Sequence, residues 1–184
     1  SLNPNFEYDF VKVPNGEIYV LAKELVASVM KTAGIDSWEV LATVLGSDLE
    51  LIKTKHPLFD RDSLVITGDH VTLDAGTGCV HTAPGFGADD FIVCQRYNIP
   101  IIVPVDGKGR HTAESGKYEG MFVDDSNEVI LKDLDDCGAL LATEDIVHSY
   151  PHCWRCKNPI IFRTTEQWFC SVDALKDDAV NACE

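Results

Sequence analysis

The sequence predicts an α+β fold with a strand-rich, barrel-like sheet and a few peripheral helices. Three observations support this prediction. Many short segments alternate apolar and polar residues, as half-buried strands do, and turns rich in glycine or proline separate them. Only a few segments place apolar residues at helical spacing. The chain has 184 residues, of which 45% are hydrophobic, and this is enough for one packed core.

A hairpin and a helix are the first predicted elements. Residues 6–13 alternate and predict a strand, and residues 17–20 predict the strand that returns. Between them, Asn15 and Gly16 form one of the commonest pairs in a two-residue hairpin turn. Residues 22–33 place apolar side chains at helical spacing and predict a helix.

Short strands and three further helices complete the prediction. The remaining predicted strands are residues 38–43, 79–82, 101–105, 139–147 and 160–163. The remaining predicted helices are residues 88–97, residues 126–137 and a helix that begins at Asp173. Ser126 is the predicted N-cap of the middle helix, because a serine hydroxyl can accept a backbone N–H group at that position.

The charge of the chain limits the ligands that it can attract. The formal net charge is −15, which repels phosphate at long range and argues against broad, non-specific binding of nucleic acid. A pocket that receives only the end of an RNA is compatible with this charge. No run approaches the roughly 18 apolar residues of a membrane-spanning helix, and no signal-peptide pattern is visible. A membrane partner is therefore not expected.

Seven cysteines are scattered along the chain, which is an odd number. The disulfide frameworks of small secreted proteins use an even number of cysteines at characteristic spacings. We therefore expect free thiols in a reducing compartment, the cytoplasm.

Residues 76–91 form the segment in which we expect the chemistry. A glycine turn, a short predicted strand, a second glycine-rich turn and the start of a helix follow one another there. Glycines allow the backbone to approach a ligand closely and to present its N–H groups. The second turn can bring His81 and Asp90 to one cleft, where a carboxylate could hold an ammonium group and an imidazole could contact an ester or a water.

Structural roles are the alternative for both residues. A carboxylate in the first turn of a helix is stabilised by the helix dipole whatever its function, and a single histidine in an apolar strand is often structural. Asp89 and Asp90 are neighbours, so they point in different directions on a helix and at most one of them faces a site. The glycine pattern also differs from the dinucleotide-binding fingerprint.

Two long motifs resemble those of a known family. The first is GTGCVHTAPGFGADDF at residues 76–91, and the second is HSYPHCWRCK at residues 148–157, with further matches to residue 169. Both resemble the editing domain, or connective polypeptide, of isoleucyl-tRNA synthetases, which are class I aminoacyl-tRNA synthetases. The related valyl and leucyl enzymes typically carry Ala-His-Asp where this chain has GFG at residues 85–87, which favours the isoleucyl member.

The resemblance implies roles for individual residues, with Asp90 and His81 as the catalytic ones. Asp90 is implied to bind the α-amino group of a misattached amino acid, and a carboxylate facing an ammonium group makes a charge-assisted contact. His81 is implied to line the side-chain pocket, to help select valine over isoleucine and to help place the attacking water. Phe86 is implied to form part of the pocket wall. A nearby turn of the substrate site is implied for Gly76, Thr77 and Gly78.

The resemblance also implies post-transfer editing, which is hydrolysis of the ester between valine and tRNA(Ile). Isoleucyl-tRNA synthetase is itself a standard example of the underlying difficulty, because one methylene is worth only about 1–3 kcal/mol in a hydrophobic pocket. A second, smaller pocket must therefore remove the wrong product. The sequence has no evident Ser/His/Asp or Cys/His nucleophile arrangement. The expected nucleophile is a positioned water, assisted by a ribose hydroxyl of the substrate.

The implied partners are the acceptor end of tRNA(Ile) carrying valine and the rest of the synthetase chain. Editing is expected to need no cofactor, whereas ATP and Mg²⁺ serve only the catalytic core outside this chain. Residues 1–148 are the expected editing domain, and residues 149–184 are the segment that returns toward that core. The family's editing site also uses a threonine-rich strand just upstream of Ser1. We therefore expect a truncated N-terminal strand and weak or absent editing by the chain alone.

Cys153 and Cys156 have the C-x-x-C spacing of zinc ligands, but structural zinc normally takes four ligands. His148 and His152 could complete the set, or the pair could be two thiols on an exposed turn. The resemblance implies zinc in the full-length protein, with the other cysteine ligands outside this chain. We therefore expect half a site here and no metal held by the fragment alone.

The residues alone are also compatible with three other functions. A non-catalytic zinc-knuckle or RNA-binding module predicts four local ligands and a basic face, whereas the chain has two clear ligands and a net charge of −15. A metal-dependent hydrolase could use Asp89, Asp90 and His81, and a chelator would inhibit it. A cysteine hydrolase could pair Cys79 with His81, because residues two apart on a strand share a face. A packed core position is the simpler role for Cys79.

Overall fold

The computed structural model describes residues 1–183. Its strands are β1 (Glu7–Lys12), β2 (Ile18–Ala22), β3 (Glu39–Leu45), β4 (Lys53–Lys55) and β5 (Asp62–Leu64). Its α-helices are α1 (Val26–Thr32), α2 (Ala88–Arg96), α3 (Val123–Asp136) and α4 (Asp173–Asn181). Within the described range, no helix combines the length and the apolar character that crossing a membrane requires.

Strand β1 is the centre of a three-stranded antiparallel sheet with the order β2-β1-β3. The β1–β2 hairpin pairs Lys12 with Ile18. Its turn contains Gly16 with a φ of 93°, a left-handed value that glycine adopts without strain. The pairing of β1 with β3 shifts between Phe10 and Val11, as at a β-bulge. The predicted hairpin and its turn are therefore confirmed.

Helix α1 packs on this sheet through a small apolar core. Val26 and Met30 lie four residues apart on one face of α1, and they are buried together with Val11 of β1 and Leu21 of β2. Burial of side chains of this size stabilises the fold by about 1.5–3 kcal/mol each. A second buried cluster contains Leu2, Tyr8, Ala22, Leu25 and Leu49. The two clusters pack α1 and the flanking segments against the three-stranded sheet.

Strands β4 and β5 form a separate two-stranded antiparallel hairpin. The His56 N–H donates to the Arg61 carbonyl at 3.0 Å, and the Arg61 N–H donates to the Phe59 carbonyl at 2.8 Å. The Nδ1 atom of His56 accepts the N–H groups of Leu58 and Phe59 at 3.1 and 3.2 Å. These bonds define the conformation of the turn. The sequence pattern did not predict this hairpin.

Residues 1 and 2 join two segments that are distant in sequence. The Leu2 N–H donates to the Ile66 carbonyl at 2.9 Å, and the Leu2 carbonyl accepts the Gly68 N–H at 2.9 Å. The Ser1 carbonyl accepts the Val80 N–H at 2.9 Å. The start of the chain therefore links the segment after β5 to the glycine-rich segment of residues 76–91.

Several predicted strands are wrong. Residues 79–82, 101–105, 139–147 and 160–163 belong to none of the named strands, although Val105 forms one isolated bridge. A strand needs a continuous ladder of backbone hydrogen bonds with a neighbour, and these apolar runs lack one within the described residues. In residues 101–105, Pro104 also has no N–H to donate.

Helix α3 begins at Val123, three residues before the predicted N-cap. The N-cap is Phe122, so the prediction that Ser126 caps this helix is wrong. Ser126 is buried, its hydroxyl donates to the Val123 carbonyl at 2.7 Å, and it also bonds His111 Nε2 at 2.9 Å. The serine therefore joins α3 to the preceding loop.

The structure confirms the predicted mixture of strands and helices. The two named sheets are small and open, and they are not joined to each other by strand pairing in the part of the chain described. The predicted barrel-like sheet is therefore not shown. The predicted helices at residues 22–33 and 88–97 and the helix that begins at Asp173 are confirmed within a few residues. The division at residue 149 stays a prediction.

Candidate functional site

A cavity of about 1020 Å³ lies between the β4–β5 hairpin and the glycine-rich segment. Residues 61–66 line one part of it, and residues 79–84 line another. Ile99, Pro100, Ile102 and Pro104 add an apolar stretch that follows α2. Its volume is at the upper end of the range for small-molecule sites, and its lining is mainly apolar, as in most such sites.

His81 and Phe86 both line this cavity. They lie on the loop that leads to α2, and the Phe86 N–H donates to the Ala83 carbonyl at 3.0 Å to close a turn. At Gly85 a Cβ atom would lie 2.5 Å from the Ile102 carbonyl oxygen, so only glycine permits this close approach. The structure therefore brings two of the predicted site residues to one hollow.

Asp90 is not among the residues that line the cavity. It is half-buried in the first turn of α2, and its Oδ2 accepts the Ala83 N–H at 3.1 Å. Ala83 does line the cavity, so Asp90 lies directly behind the cavity wall and its hydrogen bond holds the backbone of Ala83 in place. Asp89 is exposed. The observed contact of Asp90 thus supports the loop that carries His81 and Phe86.

Thr164 holds the same loop, and the sequence analysis did not identify it. Its N–H donates to the Gly85 carbonyl at 2.8 Å, and its hydroxyl donates to the Pro84 carbonyl at 3.2 Å. Thr164 is separated from Pro84 by 80 positions, so no local pattern could have indicated the contact. Asp90 and Thr164 therefore fix three consecutive residues of the loop, which begin at Ala83.

Gly76, Thr77 and Gly78 form a tight turn that is not part of the cavity lining. The φ values of Gly76 and Gly78 are 76° and 73°, which glycine adopts without strain. The Thr77 carbonyl accepts the Ala22 N–H at 2.9 Å, and the Tyr8 hydroxyl donates to the Gly78 carbonyl at 2.8 Å. The turn therefore anchors the glycine-rich segment to the three-stranded sheet.

Cys79 lines the cavity together with His81. Its side chain has surface that is open toward the hollow, but the surrounding protein atoms desolvate the thiol and raise its pKa. A nucleophilic cysteine needs a lowered pKa, because the thiolate is the reactive form. This environment therefore does not favour a cysteine hydrolase.

Metal ligands are present only in part. Among residues 1–183, no group of three or more His, Cys, Asp or Glu side chains is placed to hold a metal ion. Backbone hydrogen bonds from Cys156 and Arg155 lower the pKa of the Cys153 thiol, and the thiolate is the form that binds zinc. The pair of Cys153 and Cys156 therefore fits half of a zinc site, and bound zinc stays a prediction.

The β4–β5 hairpin adds polar groups that the sequence analysis did not identify. Arg61 and Ser63 line the cavity. Burial lowers the pKa of His56, and the nearby Arg61 guanidinium and His81 lower it further. The hairpin strands have only three residues each, which is too short for a clear alternating pattern.

No protein-family model matches the chain. Curated relatives do match it over nearly its whole length. The isoleucine–tRNA ligase of Caldicellulosiruptor saccharolyticus is 58% identical over 184 residues, which is 100% of this chain and 20% of that protein. The isoleucine–tRNA ligase of Bacillus cereus is 53% identical over 182 residues, which is 99% of this chain and 20% of that protein. The chain thus spans about a fifth of the length of these relatives.

Among solved structures, the crystal structure of GlLeuRS-CP1 matches with a TM-score of 0.61 at 17% identity, covering 82% of this chain and 77% of that chain. At this identity the likeness shows the fold alone. The chain therefore has the fold of that CP1 domain. By sequence, it matches a segment of isoleucine–tRNA ligases, and the resemblance to the isoleucyl-tRNA synthetase editing domain is confirmed.

Proposed function

We propose that this chain is the editing domain of an isoleucyl-tRNA synthetase and that it hydrolyses valine from mischarged tRNA(Ile). One observation carries the proposal. A mainly apolar cavity has His81 and Phe86 in its wall, and these residues lie in the segment whose motif resembles the family's editing site. The acceptor end of the tRNA and the rest of the synthetase are the partners, in the cytoplasm.

The cavity has room for more than an amino acid. At about 1020 Å³ it can hold both the esterified valine and the terminal adenosine of the tRNA. In the proposed complex, the valine side chain lies against Phe86, and His81 limits the size of the side chain that fits. Isoleucine is larger by one methylene, so the pocket excludes it by steric conflict instead of by weaker attraction.

The proposed role of Asp90 is compatible with its role in holding the loop. Its Oδ2 accepts the Ala83 N–H, and Oδ1 can then accept a hydrogen bond from a substrate ammonium group that extends past Ala83. Such a charge-assisted contact is about twice as strong as a neutral one. This contact would orient the ester carbonyl toward His81.

A water molecule is the proposed nucleophile. Its oxygen forms a bond to the carbonyl carbon of the ester, the bond between that carbon and the ribose oxygen breaks, and the ribose oxygen receives a proton. His81 orients the water, and a neighbouring ribose hydroxyl of the substrate assists. The products are valine and tRNA(Ile) with a free 3′ end.

Deacylation of valyl-tRNA(Ile) tests this proposal. An isoleucine–tRNA ligase that carries this chain as its editing segment should hydrolyse valyl-tRNA(Ile) much faster than isoleucyl-tRNA(Ile), and a chelator should leave the rate unchanged. Inhibition by a chelator, reversed by added metal, would instead support the metal-dependent hydrolase. Binding of tRNA without hydrolysis would support the non-catalytic RNA-binding module. The chain alone, assayed in parallel, shows how much of the activity it holds.

A further inference from the structure

The β4–β5 hairpin forms one wall of the cavity and carries its polar rim. Ile66 is 2% exposed and packs with Val93 and Cys94 of α2, whereas Arg61, five positions earlier, is exposed. Both Ile66 and Arg61 line the cavity. Ile66 therefore lies at its floor, and Arg61 lies on the side that opens to solvent.

Arg61 adds a permanent positive charge to this mainly apolar wall. Its neighbour Asp62 also lines the cavity but is paired with Lys55 at 2.6 Å, so these two charges offset each other. Among residues 1–183, no carboxylate lies within ion-pairing distance of the Arg61 guanidinium. In a chain with a net charge of −15, an unpaired cation at the mouth of a cavity favours an anionic group of the ligand.

The turn that carries Arg61 is held in place. Its backbone is closed by hydrogen bonds between His56, Phe59 and Arg61, and the rings of His56 and Phe59 pack edge-on with centroids 5.2 Å apart. His56 accepts two N–H groups at Nδ1, and its lowered pKa favours the neutral ring, so its proton lies on Nε2. These bonds fix the backbone from which the exposed Arg61 side chain extends, next to the neutral imidazole of His56.

We propose that Arg61 binds a phosphate of the RNA backbone where the acceptor end of the tRNA enters the cavity. The inference rests on the proposed editing function, because the esterified adenosine must occupy the hollow and its backbone must then cross the rim. The planar guanidinium suits phosphate, since it donates two parallel N–H bonds. Arg61 offsets part of the repulsion between RNA and this acidic chain at the mouth of the cavity.

Substrates with and without the phosphate test the assignment. In an isoleucine–tRNA ligase that carries this chain, Arg61→Gln should raise the KM for deacylation of valyl-tRNA(Ile) about tenfold, while kcat stays within about twofold. Hydrolysis of 3′-O-valyl-adenosine, which has no phosphate, should be unchanged. The KM of Arg61→Lys should lie between those of the parent and Arg61→Gln, because lysine keeps the charge and loses the bidentate geometry. A plot of log KM against log salt concentration should have a slope that is smaller by about one in Arg61→Gln, because one phosphate contact is lost.

Arg96→Gln is the matched control, because Arg96 carries the same charge, is exposed at the end of α2 and does not line the cavity. It should leave both substrates unaffected. An unchanged KM for valyl-tRNA(Ile) in Arg61→Gln would overturn the proposal. So would equal losses on valyl-tRNA(Ile) and 3′-O-valyl-adenosine, since Arg61 would then support the cavity itself. Absence of hydrolysis by the parent ligase would refute the editing function from which the proposal starts.

Discussion

Replacing Asp90 with asparagine should separate its structural contact from its charge. The carboxylate Oδ2 accepts the Ala83 N–H at 3.1 Å, and the amide oxygen of an asparagine can accept the same bond. Asp90→Asn therefore keeps the support of the loop and removes the negative charge that the substrate's ammonium group is proposed to need. Asp90→Ala removes both.

The expected magnitudes follow from this geometry. A hydrogen bond to a charged acceptor contributes about 1.5–3 kcal/mol, and the half-burial of Asp90 favours the lower end of that range. A carboxylate in the first turn of a helix adds about 0.3–1 kcal/mol through the helix dipole. Asp90→Ala should therefore lower the free energy of unfolding by about 2 kcal/mol. Asp90→Asn should lower it by about 1 kcal/mol, because the dipole contribution is lost and the bond to Ala83 becomes a weaker, neutral one.

Two assays read these effects separately. Urea unfolding followed by circular dichroism gives the stability of each variant of the chain. Deacylation of valyl-tRNA(Ile) by the ligase that carries it gives kcat/KM, which should fall about 10–100-fold in both Asp90 variants, equal to about 1.4–3 kcal/mol. Asp89→Asn is the matched control, since Asp89 lies in the same helical turn and is exposed. It should keep nearly full activity.

Either of two results would refute the reasoning. Full editing by Asp90→Asn would show that the charge of Asp90 does not bind the substrate and that the residue only supports the loop. Equal destabilisation by asparagine and alanine would show that the bond to Ala83 is not what Asp90 contributes to stability.

Three further predictions concern the framework of the site. Gly78→Ala should lower the free energy of unfolding in urea by more than about 2 kcal/mol, because the new Cβ would lie 2.3 Å from a β2 side chain. Gly76→Ala places its Cβ in open space and should lower it by about 1 kcal/mol, because of the left-handed φ. Equal losses in the two variants would contradict this reasoning. Thr164→Val should cost about 1 kcal/mol and slow editing more than Thr165→Val does, and the same rate in both variants would exclude the loop contact. The pKa of His56 is lowered from 6.5, so its stabilising contribution is present above that pH and is lost as the pH falls below it. The urea midpoint should therefore drop more steeply below pH 6.5 in the parent than in His56→Asn, and parallel curves would contradict it.

Local patterns predicted the elements that local forces determine. The first hairpin follows from alternation and an Asn-Gly turn, and α1 and α2 follow from apolar residues at helical spacing. The role of Ser126 could not be predicted from local patterns. Its side chain has the chemistry of an N-cap, but α3 begins earlier and the hydroxyl bonds His111, which lies 15 positions away. A tertiary contact therefore determined its role.

The sequence predicted the site residues that lie within the motif, but not the residues from other segments that complete the cavity. The motif pointed to His81 and Phe86, and the structure places both on the cavity. The contributions of Arg61 and Thr164 depend on segments that meet only in the folded chain, so neither spacing nor composition could indicate them. The position of Asp90 behind Ala83 is likewise a matter of side-chain orientation, which the sequence does not determine.

Selection of the amino acid by size at His81 is the central claim, and the ratio of deacylation rates on valyl-tRNA(Ile) and isoleucyl-tRNA(Ile) tests it most directly. The parent should hydrolyse the valyl ester far faster. His81→Ala should enlarge the pocket, raise the rate on the isoleucyl ester and narrow the ratio about tenfold or more, which is within the range that one methylene is worth. A ratio that is the same in the parent and in His81→Ala would contradict the claim.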